Sequence, residues 1–226
     1  MTINCSPKFD ESVIIPSRDR VVSICKPLKQ VILNQVFTVA ELIQNLGIFI
    51  SNNFHVKTSH ATSLEVEIDE VMVNAQYDAD KDEKCEVSIE IILATNPSNY
   101  FIIVDQDRWD RIIYRLSDVI THELVRMKQT RARNYISVDY KVSNTYKDGD
   151  EYLYLSNPDE IDAYSYTIAN EIKNNPNKNQ ILTNPTAINI DDSVNLWAYI
   201  HAFRQDLTNP TLKRLLKKVY KRLTYY

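Results

Sequence analysis

Only two glycines, Gly47 and Gly149, occur in this chain of 226 residues. A backbone so poor in glycine cannot form a phosphate-cradling loop, since the dinucleotide-binding fingerprint and the Walker loop each need several residues without a Cβ close together. Nucleotide hydrolysis and dinucleotide redox chemistry are set aside on that ground. Apolar residues make up 44% of the chain, enough for one large domain or a domain with a helical extension. The formal charge of −4 provides no overall field that draws in nucleic acid. Cys5, Cys25 and Cys85 are scattered and odd in number. They fit reduced thiols better than a disulfide framework or a Cys-based zinc site. The opening "MTINCSPKFDESV" has no basic segment leading into an apolar run, so no signal peptide is read. The most apolar region, "VILNQVFTVAELIQNLGIFI", is interrupted by Asn34, Gln35, Glu41, Gln44 and Asn45 and is too polar to span a bilayer. The expectation is a soluble protein of the intracellular type.

Hydrophobic periodicity sets the expected order of elements. Residues 1–24 lack a clear period and read as an N-terminal arm. From Pro27 to about Phe54 the spacing of Ile32, Val36, Val39, Leu42, Ile43, Leu46 and Ile50 predicts one long amphipathic helix, with Pro27 in its first turn. "SLEVEID" alternates strictly and predicts a half-buried strand continuing through "VMVNAQY". After the polar tip "DADKDEK", "CEVSIEIILA" returns with Val87, Ile89 and Ile91 on one face, and "YFIIV" adds a third piece. Together they suggest an antiparallel meander. A central helix follows, capped by Asp105 or Asp107, with Trp109, Ile112, Ile113, Leu116, Ile120 and Met127 along it. Residues 136–154 read as a polar loop with a short hairpin around "KDGDEYLYL". Next come a helix from "SNPDEIDAY", a loop through "NKNQILTNPTAINID", and two helices over about 192–206 and 211–224. The fold class is α+β: a small antiparallel sheet packed on a long central helix over 25–190, then a C-terminal helical extension over 191–226.

The chemistry concentrates in "DVITHELVRMKQTRARNY" on the central helix. At about 100° per residue, Glu123 falls inside the apolar stripe. A buried carboxylate there needs a partner or a job. His122 and Arg126 are four residues apart and project from one flank of the same helix. The bland readings are a hydrogen-bonded helix histidine and a carboxylate paired to an arginine. Further on, Asn157, Pro158 and Glu160 form a capping-box pattern at a helix start.

The acidic-tipped hairpin, "YFIIVDQDRW", the helix carrying His-Glu, "YLSNPDEIDAYSYTIANEI" and the basic "LKRLLKKVYKRL" together resemble a set of small proteins encoded by tailed bacteriophages. Those are described as predicted zinc metallopeptidases of the zincin, or gluzincin-like, type. The likeness covers roughly residues 60–224, and its most specific pieces are "THELVRMKQ" and "YLSNPDEIDAY". It implies a zincin-like fold in which His122 is a zinc ligand, Glu123 the general base that polarises water, and Glu160 the third ligand from a downstream helix. Asp162 and Tyr164 would lie near the site. The full HExxH motif has histidine where this chain has Arg126.

Arginine stays protonated and offers a metal no lone pair. Beside Glu123 or Glu160 its guanidinium would instead replace the metal's positive charge and hold the carboxylates in a charge-assisted pair. His55, His60 and His201 have no spacing that recommends any of them as the missing ligand. The expectation is therefore a zincin-like fold without zinc, acting by binding or assembly with protein partners such as other virion proteins, in the infected cell's cytoplasm or packaged in a particle. An active zinc endopeptidase using Glu123 is the alternative. A nucleic-acid-associated role is a third reading, through Lys213, Arg214, Lys217, Lys218, Lys221 and Arg222 on the last helix.

Overall fold

A computed structural model of the chain describes residues 14–54, 56–63, 71–77, 87–94, 101–133 and 151–224. It has mixed α and β structure, with small sheets and one long central helix. The chain divides into two compact units, Met1–Arg131 and Ala132–Tyr226. In order, the first contains α1 (Arg18–Ile32), β1 (Val36–Thr38), α2 (Val39–Phe54), β2 (Lys57–Ser63), β3 (Val71–Gln76), β4 (Ser88–Ala94), β5 (Phe101–Ile103) and α3 (Gln106–Ala132). The second contains α4 (Glu151–Ser156), α5 (Pro158–Ile172), α6 (Lys178–Thr183), a 3-10 turn, α7 (Val194–Ala202) and α8 (Pro210–Thr224).

Two helices stand where one was expected between Pro27 and Phe54, and the first begins earlier. Ser17 caps α1, its hydroxyl accepting the Arg20 N–H at 3.2 Å. Val21, Cys25, Leu28 and Ile32 form its buried stripe. Only the first of these precedes residue 24, so the period does not show in the arm; residues 18–24 are helical, and 1–13 lie outside the described residues. Pro27 consequently sits inside α1 rather than in a first turn. The break comes at Asn34, whose φ of 59° is left-handed, a conformation asparagine tolerates better than most residues. Its N–H donates to the Val104 carbonyl at 2.8 Å. Then Thr38 and Glu41 make a capping box that starts α2. The Thr38 N–H and hydroxyl both donate to Glu41 Oε2 at 2.8 Å, and the Glu41 N–H donates back to Thr38 Oγ1 at 3.3 Å.

The strands are not a simple antiparallel meander. Three of them form a mixed sheet in the order β2-β4-β3, with β2 parallel to β4 and β3 antiparallel to it. β1 and β5 form a separate antiparallel pair in which Val36 faces Ile103. Parallel pairing of β2 and β4 requires a crossover rather than a hairpin between them, and β3 lies within that crossover. "VMVNAQ", "SIEIILA" and "FII" are strands as expected; "LEVEID" and the acidic tip lie outside the described residues. Gly47 on α2 allows a close approach to β2: an added Cβ would stand 3.4 Å from Thr58 Oγ1, and that hydroxyl donates to the Gly47 carbonyl at 3.3 Å.

The first core gathers α1, α2, the sheet and α3, with Leu42, Leu46, Ile89, Ile91, Ile112, Leu116 and Ile120 essentially inaccessible. Asp105 caps α3, accepting the Arg108 N–H at 2.8 Å. The expected stripe is buried, and burial goes further: every residue from Leu116 to Val125 is buried, five polar or charged ones among them. The Arg18 guanidinium reaches Asp118 at 3.1 Å, and Thr121 donates to the Pro16 carbonyl at 3.3 Å. Arg115 Nε donates to the Val73 carbonyl at 3.2 Å, while Glu123 Oε2 accepts the Tyr77 N–H at 2.9 Å. Eight residues of helix rise about 12 Å and four residues of strand about 13 Å. Two side chains of α3 thus hold β3 at Val73 and the chain just past its end at Tyr77.

The second unit has its own core, from Leu155 and Ile161 through Tyr199 and Ile200 to Leu215 and Val219. α5 shares that core with α7 and α8, all within the compact unit that begins at Ala132. Asn157 caps α5 with Pro158 in the first turn, as expected, and its side chain accepts from Asp159 N–H at 2.8 Å. The Asn157 N–H donates to the Tyr154 carbonyl, where the capping-box reading has the Glu160 carboxylate. Residues 151–156 form helix α4 in place of the hairpin's second arm, because a six-residue window of tyrosine and leucine fits either period. Residues 178–183 form α6 where a loop was expected, anchored by buried Ile181. α7 ends in a Schellman motif: the Gln205 N–H reaches the Ile200 carbonyl at 2.7 Å and the Arg204 N–H that of His201 at 2.9 Å.

Candidate functional site

His122 and Glu123 are buried in the middle of α3, with 8% and 6% of their surfaces exposed. Arg126, one turn on, keeps about a third of its side chain in solvent, and its Nη1 stands 3.5 Å from Glu123 Oε2. The same carboxylate oxygen accepts the Tyr77 backbone N–H. Glu123 therefore has the partners a buried carboxylate requires, one a strand amide and one a guanidinium. Of the two acids expected to pair with Arg126, Glu123 does so in the first unit.

In the second unit Glu160 is also buried, 1% exposed. Its Oε2 accepts a hydrogen bond from the Tyr154 hydroxyl at 2.6 Å. Tyr164 meets Tyr199 edge to face at 5.2 Å. Burial pushes the Tyr199 phenol well above its ordinary value, and the nearby Tyr164 and Glu160 add to that. Asp162 anchors α8: Arg222 Nη2 reaches its Oδ1 at 2.8 Å, and Lys218 donates to the same oxygen. Asp159 is held by both terminal nitrogens of Arg133, at 2.9 and 2.7 Å.

Zinc needs three or more lone-pair donors around it. Within the first unit, α3 offers one imidazole and one carboxylate beside a guanidinium. Those two donors are fewer than the three zinc takes from protein. Among the described residues, no group of three or more His, Cys, Asp or Glu side chains is arranged to hold a metal ion. Of the spare histidines, His60 lines a shallow pocket with Gln44 and Thr58 between α2 and β2. His201 lies against Trp197, with ring centroids 4.2 Å apart, and His55 is outside the described residues. Sequence reasoning did not single out Tyr77 or Tyr154. Tyr77 acts through its backbone amide, which leaves no mark in the sequence. Tyr154 reaches Glu160 across the break between α4 and α5, at no helical spacing.

No family model, no curated protein and no solved structure matches the chain. Among the described residues, no helix is long and apolar enough to cross a membrane.

Proposed function

We propose that this chain is a non-catalytic protein of zincin-like descent that acts by binding, as a component of a phage virion or of its assembly pathway. The observation that carries the non-catalytic reading is the engagement of Glu123. Its carboxylate accepts the Tyr77 amide and lies against Arg126, at the position where a peptidase keeps a carboxylate available for water. The phage context, the protein partners and a place in the infected cell or particle rest on the likeness carried by "THELVRMKQ" and "YLSNPDEIDAY".

Two substitutions and a metal measurement test it. Glu123→Ala leaves a buried amide and a guanidinium without their acceptor, and is expected to cost about 2–4 kcal/mol of stability in denaturant titration. Wild-type protein offered stoichiometric zinc is expected to hold none by mass spectrometry and to cleave no unfolded casein. One zinc per chain, with cleavage that Glu123→Gln abolishes at unchanged stability, would establish the active endopeptidase instead.

A further inference from the structure

Six cations and no acid occur along α8, "PTLKRLLKKVYKRLT". The fold uses them in two ways. Lys218 and Arg222 turn inward onto Asp162 of α5. Arg222 also donates to Ser165 Oγ at 2.7 Å and stacks 3.3 Å over the Tyr166 ring. Those two cations are structural. Lys213, Arg214, Lys217 and Lys221 stay exposed, together with Tyr220. At about 100° per residue these five fall within an arc of about 120°. That arc lies nearly opposite the stripe of Leu212, Leu215, Val219 and Leu223 that fills the core. From Lys213 to Lys221 the helix rises about 12 Å, roughly the axial length of three to four phosphates on one nucleic-acid strand.

We propose that this face of α8 binds the phosphate backbone of a nucleic acid, without reading its sequence. A protein partner would need apolar or aromatic anchors at the centre of the contact. Here every leucine and valine of α8 faces the unit's own core or its margin, and the hydroxyl of Tyr220 is taken by the Leu182 carbonyl. What remains outward is charge, which suffices for phosphate contacts and little else. The acid beside this face is Asp206, held low chiefly by hydrogen bonds from Thr208, with the charge of Lys213 adding to the effect. The chain's net charge of −4 makes the interaction a local one, confined to α8.

Fluorescence anisotropy on the full chain, with a labelled DNA duplex and a single strand of about 30 nucleotides each, provides the test. Three to four phosphate contacts give a log–log salt slope of about −2.7 to −3.6 on duplex, so affinity falls about 40- to 150-fold between 50 and 200 mM salt. A single strand gives a slope about a fifth shallower, and the tighter of the two identifies the natural form. The triple variant Lys213→Gln/Arg214→Gln/Lys217→Gln is expected to fold normally and to reduce the slope by about 2.7. The triple Arg20→Gln/Lys26→Gln/Lys57→Gln, equal in charge change but in the first compact unit, is expected to leave it unchanged. Absence of binding to both nucleic acids at 50 mM salt overturns the proposal. So does equal weakening by the two triples. Competition by polyglutamate as effective as that of DNA also overturns it, and makes an acidic protein the partner.

Discussion

Cys25 sits in the buried stripe of α1 with none of its surface exposed, and burial pushes its thiol up from 9.0 to about 12. A thiol that resists ionisation in the folded state binds its proton more tightly there than in the unfolded chain. Between about pH 9 and 12 the unfolded chain has lost that proton while the folded one keeps it, so stability falls as pH rises. Below pH 9 both states are neutral and the contribution is fully present. Denaturant titration of wild type against Cys25→Ala is expected to show the difference between them shrinking above pH 9. In a Cys5→Ser/Cys85→Ser background the remaining thiol is expected to resist a thiol reagent at pH 8 until the chain unfolds. A gap that stays constant with pH, or rapid labelling of folded protein, would contradict the burial of Cys25. Glu123 shows which residue-scale inferences a sequence supports. Its place in the apolar stripe made it a buried carboxylate with a cation for company, and that is where it lies. Its second partner is a main-chain amide 46 positions away, and no side-chain pattern encodes such a contact.

At the scale of elements, the turn after α7 invites a simple change. Arg204 has a φ of 54° at the Schellman position that glycine most often fills, because a Cβ is strained there. Arg204→Gly is expected to stabilise the protein by about 0.5–1 kcal/mol, net of the greater freedom of the unfolded chain. A thermal or denaturant midpoint that falls would show that the arginine side chain does more than occupy the turn. The helices with long, uninterrupted apolar periods, α3, α5 and α8, were legible because burial of a single stripe fixes both their type and their phase. The division between α1 and α2 was not. Apolar residues continue at helical spacing straight through Val36 and Val39, and the interruption is made by Asn34 and the Thr38–Glu41 box, which are local backbone signals. Sheet order was hidden for a different reason. Alternation says which face of a strand is buried, but it does not say that β2 runs parallel to β4.

Two cores divide the molecule's stability. Leu46 lies in one and Leu215 in the other, both with almost no exposed surface. Truncation of either to alanine is expected to cost about 2–5 kcal/mol. With no shared neighbours in their cores, the double variant's loss should equal the sum within about 0.5 kcal/mol. A larger departure in equilibrium unfolding would mean that the two cores are energetically coupled.

The clamp of α3 on β3 also bears on how the protein avoids sticking to itself. Among the described residues β3 ends the three-stranded sheet. Val73 and Tyr77 are an even number of residues apart, so their main-chain groups face the same side of the strand. An unpaired strand edge is a template on which another chain can add a strand and begin to aggregate. Arg115 occupies a carbonyl of β3 and Glu123 the amide of the residue that follows it, so that edge has less to offer an incoming strand. On this account the buried glutamate serves the strand edge as well as its ion pair with Arg126.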